Sequence, residues 1–148
     1  MTAISLNWAI NWRCKHTWKT ASYNTSWCLV GCAIGDLGTI SYFQFTGINW
    51  PVWSIMSLAI FNGLITSILL ETSILARQMA LKLAFKTAIG MSLISMIAME
   101  TAMNVTDVML TGGAVLTWWV IPLMLLAGFV TPLPYNYWRL KALGKACH

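Results

Sequence analysis

Four stretches of this chain, near residues 22–44, 50–75, 85–108 and 114–136, are predominantly apolar, and each is close to the ~20 residues that a helix needs to cross a bilayer. Backbone N–H and C=O groups in hydrocarbon have no water to bond, so a spanning segment of this kind satisfies them internally as an α-helix. The expected fold class is all-α, an integral membrane bundle of four transmembrane helices over residues 22–138. A cytoplasmic or interfacial segment at 1–21 precedes it and a basic tail at 139–148 follows. Asn49-Trp50-Pro51 opens the second stretch, where proline suits a first helical turn. Gly112-Gly113 separates the third from the fourth, and Pro132 and Pro134 interrupt the fourth near its end.

The charges decide how such a bundle is threaded. Arg13, Lys15 and Lys19 precede the first stretch, Arg77, Lys82 and Lys86 lie between the second and third, and Arg139, Lys141 and Lys145 follow the fourth. The connections near 45–49 and 109–113 hold no Lys or Arg. All nine basic residues therefore fall on one side, which the positive-inside rule assigns to the cytoplasm together with both termini. The expected location is a plasma or inner membrane, crossed several times. Trp50, Trp53, Trp118 and Trp119 on the outer side, and Tyr135 and Trp138 on the inner side, fall where aromatic rings anchor at the interface. Residues 76–86 are expected to form an interfacial helical turn, and the segment holding Trp8, Trp12 and Trp18 to lie along the same surface.

Composition narrows the function classes. Charged residues make up 9% of the chain, against about 25% in a soluble domain, so lipid is its main solvent. A net charge of +5 split into three small groups between apolar stretches reads as topology and not as a nucleic-acid surface. No cleavable signal is expected, since the basic residues of "MTAISLNWAINWRCKHTWK" follow its apolar part. The four cysteines do not read as a disulfide framework, because Cys28 and Cys32 are four apart in one helical run. No nucleophile elbow, zinc-helix motif or phosphate loop occurs, so an enzyme is not expected.

Two constellations carry chemistry. In a helix over 25–43, Cys28, Gly31, Cys32, Gly35, Asp36, Gly38 and Thr39 share one side, and Leu29, Val30, Ala33, Ile34 and Leu37 share the other. Gly31, Gly35 and Gly38 make that first side a close-packing face for another helix. A lipid-facing carboxylate at Asp36 would cost ~2.5–3.5 kcal/mol, so Asp36 is expected to face protein, water or a cation. Cysteine at such a face is either a small packing residue or a soft-metal ligand. In "SMIAMETAMNVTDVML" of the third stretch, Met96, Met99, Glu100, Met103 and Asp107 share a side, with Asn104 at its margin. Methionine there is either a gap-filler or a Cu(I) ligand, and Glu100 needs a partner among Asp36, Glu71, Asp107, Asn62 and the backbone. Cys14, His16, Cys147 and His148 form a third, weaker set at the inner ends, and Glu71 is expected to pair with Arg77 or Lys82.

The combination of "WCLVGCAIGDLG", "SMIAMET" and "TPLPYNYWRLKALGKACH" resembles the small four-helix membrane family catalogued as domain of unknown function 4396. The residues that carry the likeness are Cys28, Gly31, Cys32, Gly35, Asp36, Met99, Glu100, Pro134, Asn136, Trp138 and His148. The chain departs from the family pattern at Trp27, where a histidine is expected, in the Met91-Ser92 region, where an acidic residue is expected, and in a tail with a single final histidine. Each departure removes a metal ligand, which weakens a metal-handling reading for this chain. The resemblance implies the four-helix fold and draws attention to Asp36 and Glu100, and it implies no activity.

Three functions follow, in order of expectation. The first is a non-catalytic structural or accessory subunit of a larger membrane complex, a copper-dependent oxidase among the candidates, with lipid and other membrane subunits as partners. The second is a Cu(I)-handling protein that uses Cys28, Cys32, Met96, Met99 and Met103, with copper as its ligand. The third is a proton- or cation-coupled permease that uses Asp36 and Glu100, with Asp107 a further buried polar candidate.

Overall fold

The computed structural model describes residues 12–77 and 79–142 and contains five helices: α1 (Lys15–Thr46), α2 (Val52–Leu75), α3 (Leu81–Thr111), α4 (Val120–Val130) and α5 (Leu133–Ala142). No strand occurs among the described residues. Four segments are long and apolar enough to cross a membrane, namely α1, α2, Leu93–Thr111 of α3, and Val120–Ala142, which joins α4 and α5. Trp8, Lys145, Cys147 and His148 lie outside the described residues.

The helices are limited by backbone chemistry. α1 closes on Gly47, whose φ of 65° lets its N–H reach the Phe43 carbonyl oxygen, and α3 closes the same way on Gly112 at φ 76°. α2 opens on Pro51, whose carbonyl oxygen accepts the first bonds, from the N–H groups of Ser54 and Ile55. Pro51 thus caps the helix and does not enter its first turn. α1 begins at Lys15, seven residues before the expected 22, because Thr17, Ala21 and Thr25 are buried. Tyr137 and Leu140 of α5 join Ala21 in one core cluster, which continues the packed side of the helix past the bilayer-length segment. At 32 residues α1 is ~48 Å long, well beyond the hydrocarbon thickness. The interfacial turn expected over 76–86 is shorter than that, since α3 already starts at Leu81.

The fourth span departs most from expectation. Residues 114–119 are not helical. The Leu116 N–H is held by Gln44 Oε1 at 3.0 Å, and the Thr117 carbonyl oxygen accepts the first helical N–H groups, from Val120 and Ile121. α4 then ends at Val130, because Pro132 and Pro134 have no N–H to continue its ladder. α5 restarts at once, and the Asn136 N–H bonds the Pro132 carbonyl oxygen at 2.9 Å.

Packing inverts the polarity of a water-soluble bundle. Ile34, Ile65, Leu69, Ile94, Ile97, Val105 and Leu126 are exposed, whereas Thr25, Asp36, Ser67, Glu100 and Asn104 are buried. That arrangement suits hydrocarbon as the outer solvent. The helix ends that carry the basic residues meet around Tyr137, whose ring centroid lies 4.4 Å from that of Trp18 and 5.0 Å from that of Trp12. The opposite ends meet through Gln44, Leu116, Phe43 and Trp50.

A buried carboxylate and sulfur site between the first, third and fourth helices

The polar side of α1 rests on α2 through glycine. A Cβ at Gly31 would lie 2.6 Å from the Ser67 Cα, and one at Gly35 would run into the Asn62 carbonyl, so neither position admits a side chain. Backbones this close allow hydrogen bonds between helices. Thr66 Oγ1 donates to the Gly31 carbonyl oxygen at 2.6 Å, and Ser67 Oγ donates to the Cys28 carbonyl oxygen at 3.2 Å. With its proton used there, Ser67 Oγ, 3.4 Å from Cys28 Sγ, accepts the thiol S–H. Gly38 breaks the expected pattern. It is exposed with nothing within 4 Å of a would-be Cβ, because two residues beyond Asp36 the helix has turned that position outward.

α3 supplies the facing wall. Met96, Met99, Glu100 and Met103 are fully buried, and Asn104 and Asp107 nearly so. Asn104, which the helical period places at the margin of this face, is its centre. Its Nδ2 donates to Asp36 Oδ1 at 3.0 Å and to the Glu100 carbonyl oxygen at 3.0 Å, tying α1 to α3. Asp36 stands within electrostatic reach of both Glu100 and Asp107. The Thr111 hydroxyl, which approaches both the carbonyl and the carboxyl of Asp107 as well as Gly113, closes this row at the end nearer Gly112. Of the expected partners of Glu100, Asp36 is a neighbour, whereas Asn62 donates to Thr39 Oγ1 at 2.8 Å. Glu71 lies within the field of Arg139.

The Glu100 carboxyl sits in a notch that Gly63 of α2 leaves open, since a Cβ at Gly63 would collide with Glu100 Oε1. Neither oxygen of Glu100 has a hydrogen-bond donor within bonding geometry, although the Cys32 side chain is close by. Asp36 Oδ2, Asn104 Oδ1 and Asp107 Oδ2 are also buried without a donor. Five acceptor oxygens without donors thus line one interior row. An ionised carboxylate in such a place requires a cation beside it.

Next to this row lies a sulfur cluster. Cys28 and Cys32, both free thiols, pack with Met96, Met99, Met103 and Met124 in one buried core. All five sulfur residues expected as ligands from the sequence are in it, and α4 adds Met124. Gly128 of α4 makes room for Met103, for a Cβ there would lie 2.6 Å from Met103 Cγ. Among the described residues no group of three or more His, Cys, Asp or Glu is placed to hold a metal ion, so any metal here would need thioether ligands. Cys14 is disulfide-bonded, which removes it from the free-thiol ligand candidates, whereas Cys28 and Cys32 stay unpaired as their spacing implied.

The expected interface aromatics are exposed at the ends of the bundle: Trp118 at 93%, with Trp53, Trp119 and Trp50 on the same side and Trp138 on the other. Tyr135 is half-buried and packs on Trp138, ring centroids 6.0 Å apart. The sequence reading missed Gly63, Ser67, Met124 and Gly128. The first two had a signal, since Ala59, Gly63 and Ser67 put a small residue at every fourth position of α2. Met124 and Gly128, four apart in a uniformly apolar helix, had none.

A family model described as "Domain of unknown function (DUF4396)" matches residues 17–145, a stretch that takes in the whole site. No curated protein and no solved structure matches the chain.

Proposed function

The chain belongs to that family of domain of unknown function 4396, and from this footing we propose that it is a non-enzymatic permease of the plasma or inner membrane, moving a cation through the bundle interior along Asp36, Glu100 and Asn104, with both termini cytoplasmic. The observation that carries the reading is Glu100: fully buried, with both carboxyl oxygens lacking a donor, in a notch kept free by Gly63. Carboxylates inside membrane bundles are expensive and are retained where an ion uses them. A purely structural subunit, the first expectation from sequence, needs the glycine seam but gives Glu100 no task, since a glutamine or leucine would fill the notch at lower cost. The cation readings therefore move ahead of it.

The test is uptake into liposomes reconstituted with the purified chain. Glu100→Gln, which keeps shape and removes charge, is expected to abolish cation uptake while the protein remains folded by circular dichroism. Uptake equal to wild type in a folded Glu100→Gln protein would return the accessory-subunit role to first place.

A further inference from the structure

Among the described residues, all four fully buried methionines, Met96, Met99, Met103 and Met124, fall in one cluster with both free cysteines. Other described methionines lie elsewhere, Met56 and Met79 half-buried and Met109 80% exposed. Methionine used only as gap-filler has no reason to collect around thiols. The cluster also joins three helices: two sulfurs from α1, three from α3 and one from α4. It abuts the oxygen row, for Cys28, Cys32 and Asp36 follow one another at four-residue intervals on one face of α1, and Glu100 lies between Met99 and Met103 on α3.

From this juxtaposition we infer that the cation is soft and monovalent, Cu(I), and that Cys28, Cys32, Met96, Met99, Met103 and Met124 form its binding station inside the bundle. The inference rests on the permease reading for the path and adds the cargo. Two thiols with thioethers are the ligand set of Cu(I), whereas Zn(II) would demand nitrogen or oxygen ligands beyond two cysteines, and no suitable group exists among the described residues. A hard cation such as Na⁺ would find its oxygens in the neighbouring row but no use for the sulfurs. On binding, each thiol exchanges its S–H bond for a Cu–S bond and releases one proton to solvent. The thioethers donate lone pairs without losing a proton. Copper enters and leaves as Cu(I), so no electron moves and no oxidant is needed.

The full chain in detergent, kept reduced, is titrated with Cu(I) against a chromophoric chelator, and with Zn(II) in parallel. One Cu(I) per chain is expected, with zinc unable to displace it. Cys28→Ser with Cys32→Ser should lose stoichiometric binding, and Met96→Leu with Met99→Leu and Met103→Leu, which preserves core volume, should weaken it while leaving the melting temperature near wild type. No Cu(I) bound by the folded wild type, or binding indifferent to the methionine changes, overturns the inference. The two readings fail separately. Uptake of another cation that depends on Glu100, without copper binding, would sink the copper station and spare the permease. Copper held at one per chain by a protein that transports nothing would do the reverse.

Discussion

Glu100 and Gly63 make one feature out of two residues on different helices. The carboxyl occupies the volume that a β-carbon on α2 would take, so Gly63→Ala should force Glu100 or the α2–α3 spacing to move. Overpacking of this kind costs about 1–3 kcal/mol. The penalty should largely vanish in a Glu100→Ala background, because the clash partner is then gone. Unfolding of the four proteins of that double-mutant cycle in mixed detergent measures it, and an undiminished penalty in the double variant would separate the two residues. Half of this feature was legible beforehand. Glu100 stood out because a carboxylate in an apolar run needs a reason, and its neighbourhood with Asp36 was among the options. Gly63 was not singled out, since a glycine has no side chain to signal what approaches it. Asn104 was placed at the margin by an idealised helical wheel. Its amide nonetheless reaches both Asp36 and the Glu100 carbonyl oxygen, because a side chain extends well beyond the angle assigned to its Cα.

Between elements, the seam of α1 on α2 shows why a stripe of glycines is not uniform in effect. Gly31 faces the Ser67 backbone, which cannot yield, whereas Gly38 faces open space. Gly31→Ala should therefore destabilise by about 1–3 kcal/mol. Gly38→Ala should be neutral or stabilising by up to about 1 kcal/mol through helix propensity. Equal losses at both positions in the same unfolding assay would refute this account. The seam also depends on Thr66 Oγ1, 2.6 Å from the Gly31 carbonyl oxygen, and Thr66→Val should cost about 0.6 kcal/mol, the usual worth of a side-chain bond between membrane helices. The apolar stretches located all four described segments that could span, since length and hydropathy are properties of whole segments. Their ends were harder. The start of α1 at Lys15 depends on contact with α5, and the late start of α4 depends on Gln44 holding Leu116, a partner 72 residues away. Neither contact is visible in a local window of sequence. Pro132 was legible as a break, but not that α5 would turn back onto α1, where Asn136 Nδ2 donates to Thr25 Oγ1 at 2.7 Å.

At the scale of the whole molecule the helices sort the charge. Tyr137 against Trp18 brings the start of α1 to α5, and Arg139 lies within the field of Glu71 near the end of α2. The described basic residues Arg13, Lys15, Lys19, Arg77, Lys82, Lys86, Arg139 and Lys141 therefore gather at one end, while residues 47–51 and 112–119 at the other hold none. A bundle with that asymmetry has one favourable orientation, because each Lys or Arg drawn across an energised membrane opposes the potential by ~2.3 kcal/mol per 100 mV. In the proposed orientation Asp107 and Asp36 lie outward of Cys28 and Met96, while Met103 and Met124 stand beside the oxygen row, so a cation entering from outside would meet oxygens and thioethers together before it reached the two thiols. Fusing a reporter active only in the cytoplasm to the C-terminus should give signal, and the same reporter inserted after Gly112 should give none. The reverse pair of signals would invert the molecule and place the two thiols nearer the outside than Asp107. Moving three lysines into the connection at 112–119 and removing Arg77, Lys82 and Lys86 should weaken the bias and give a mixed population, provided that charge and not helix packing sets the orientation. A population that stayed uniform after that exchange would assign the orientation to the packing of α5 on α1 instead.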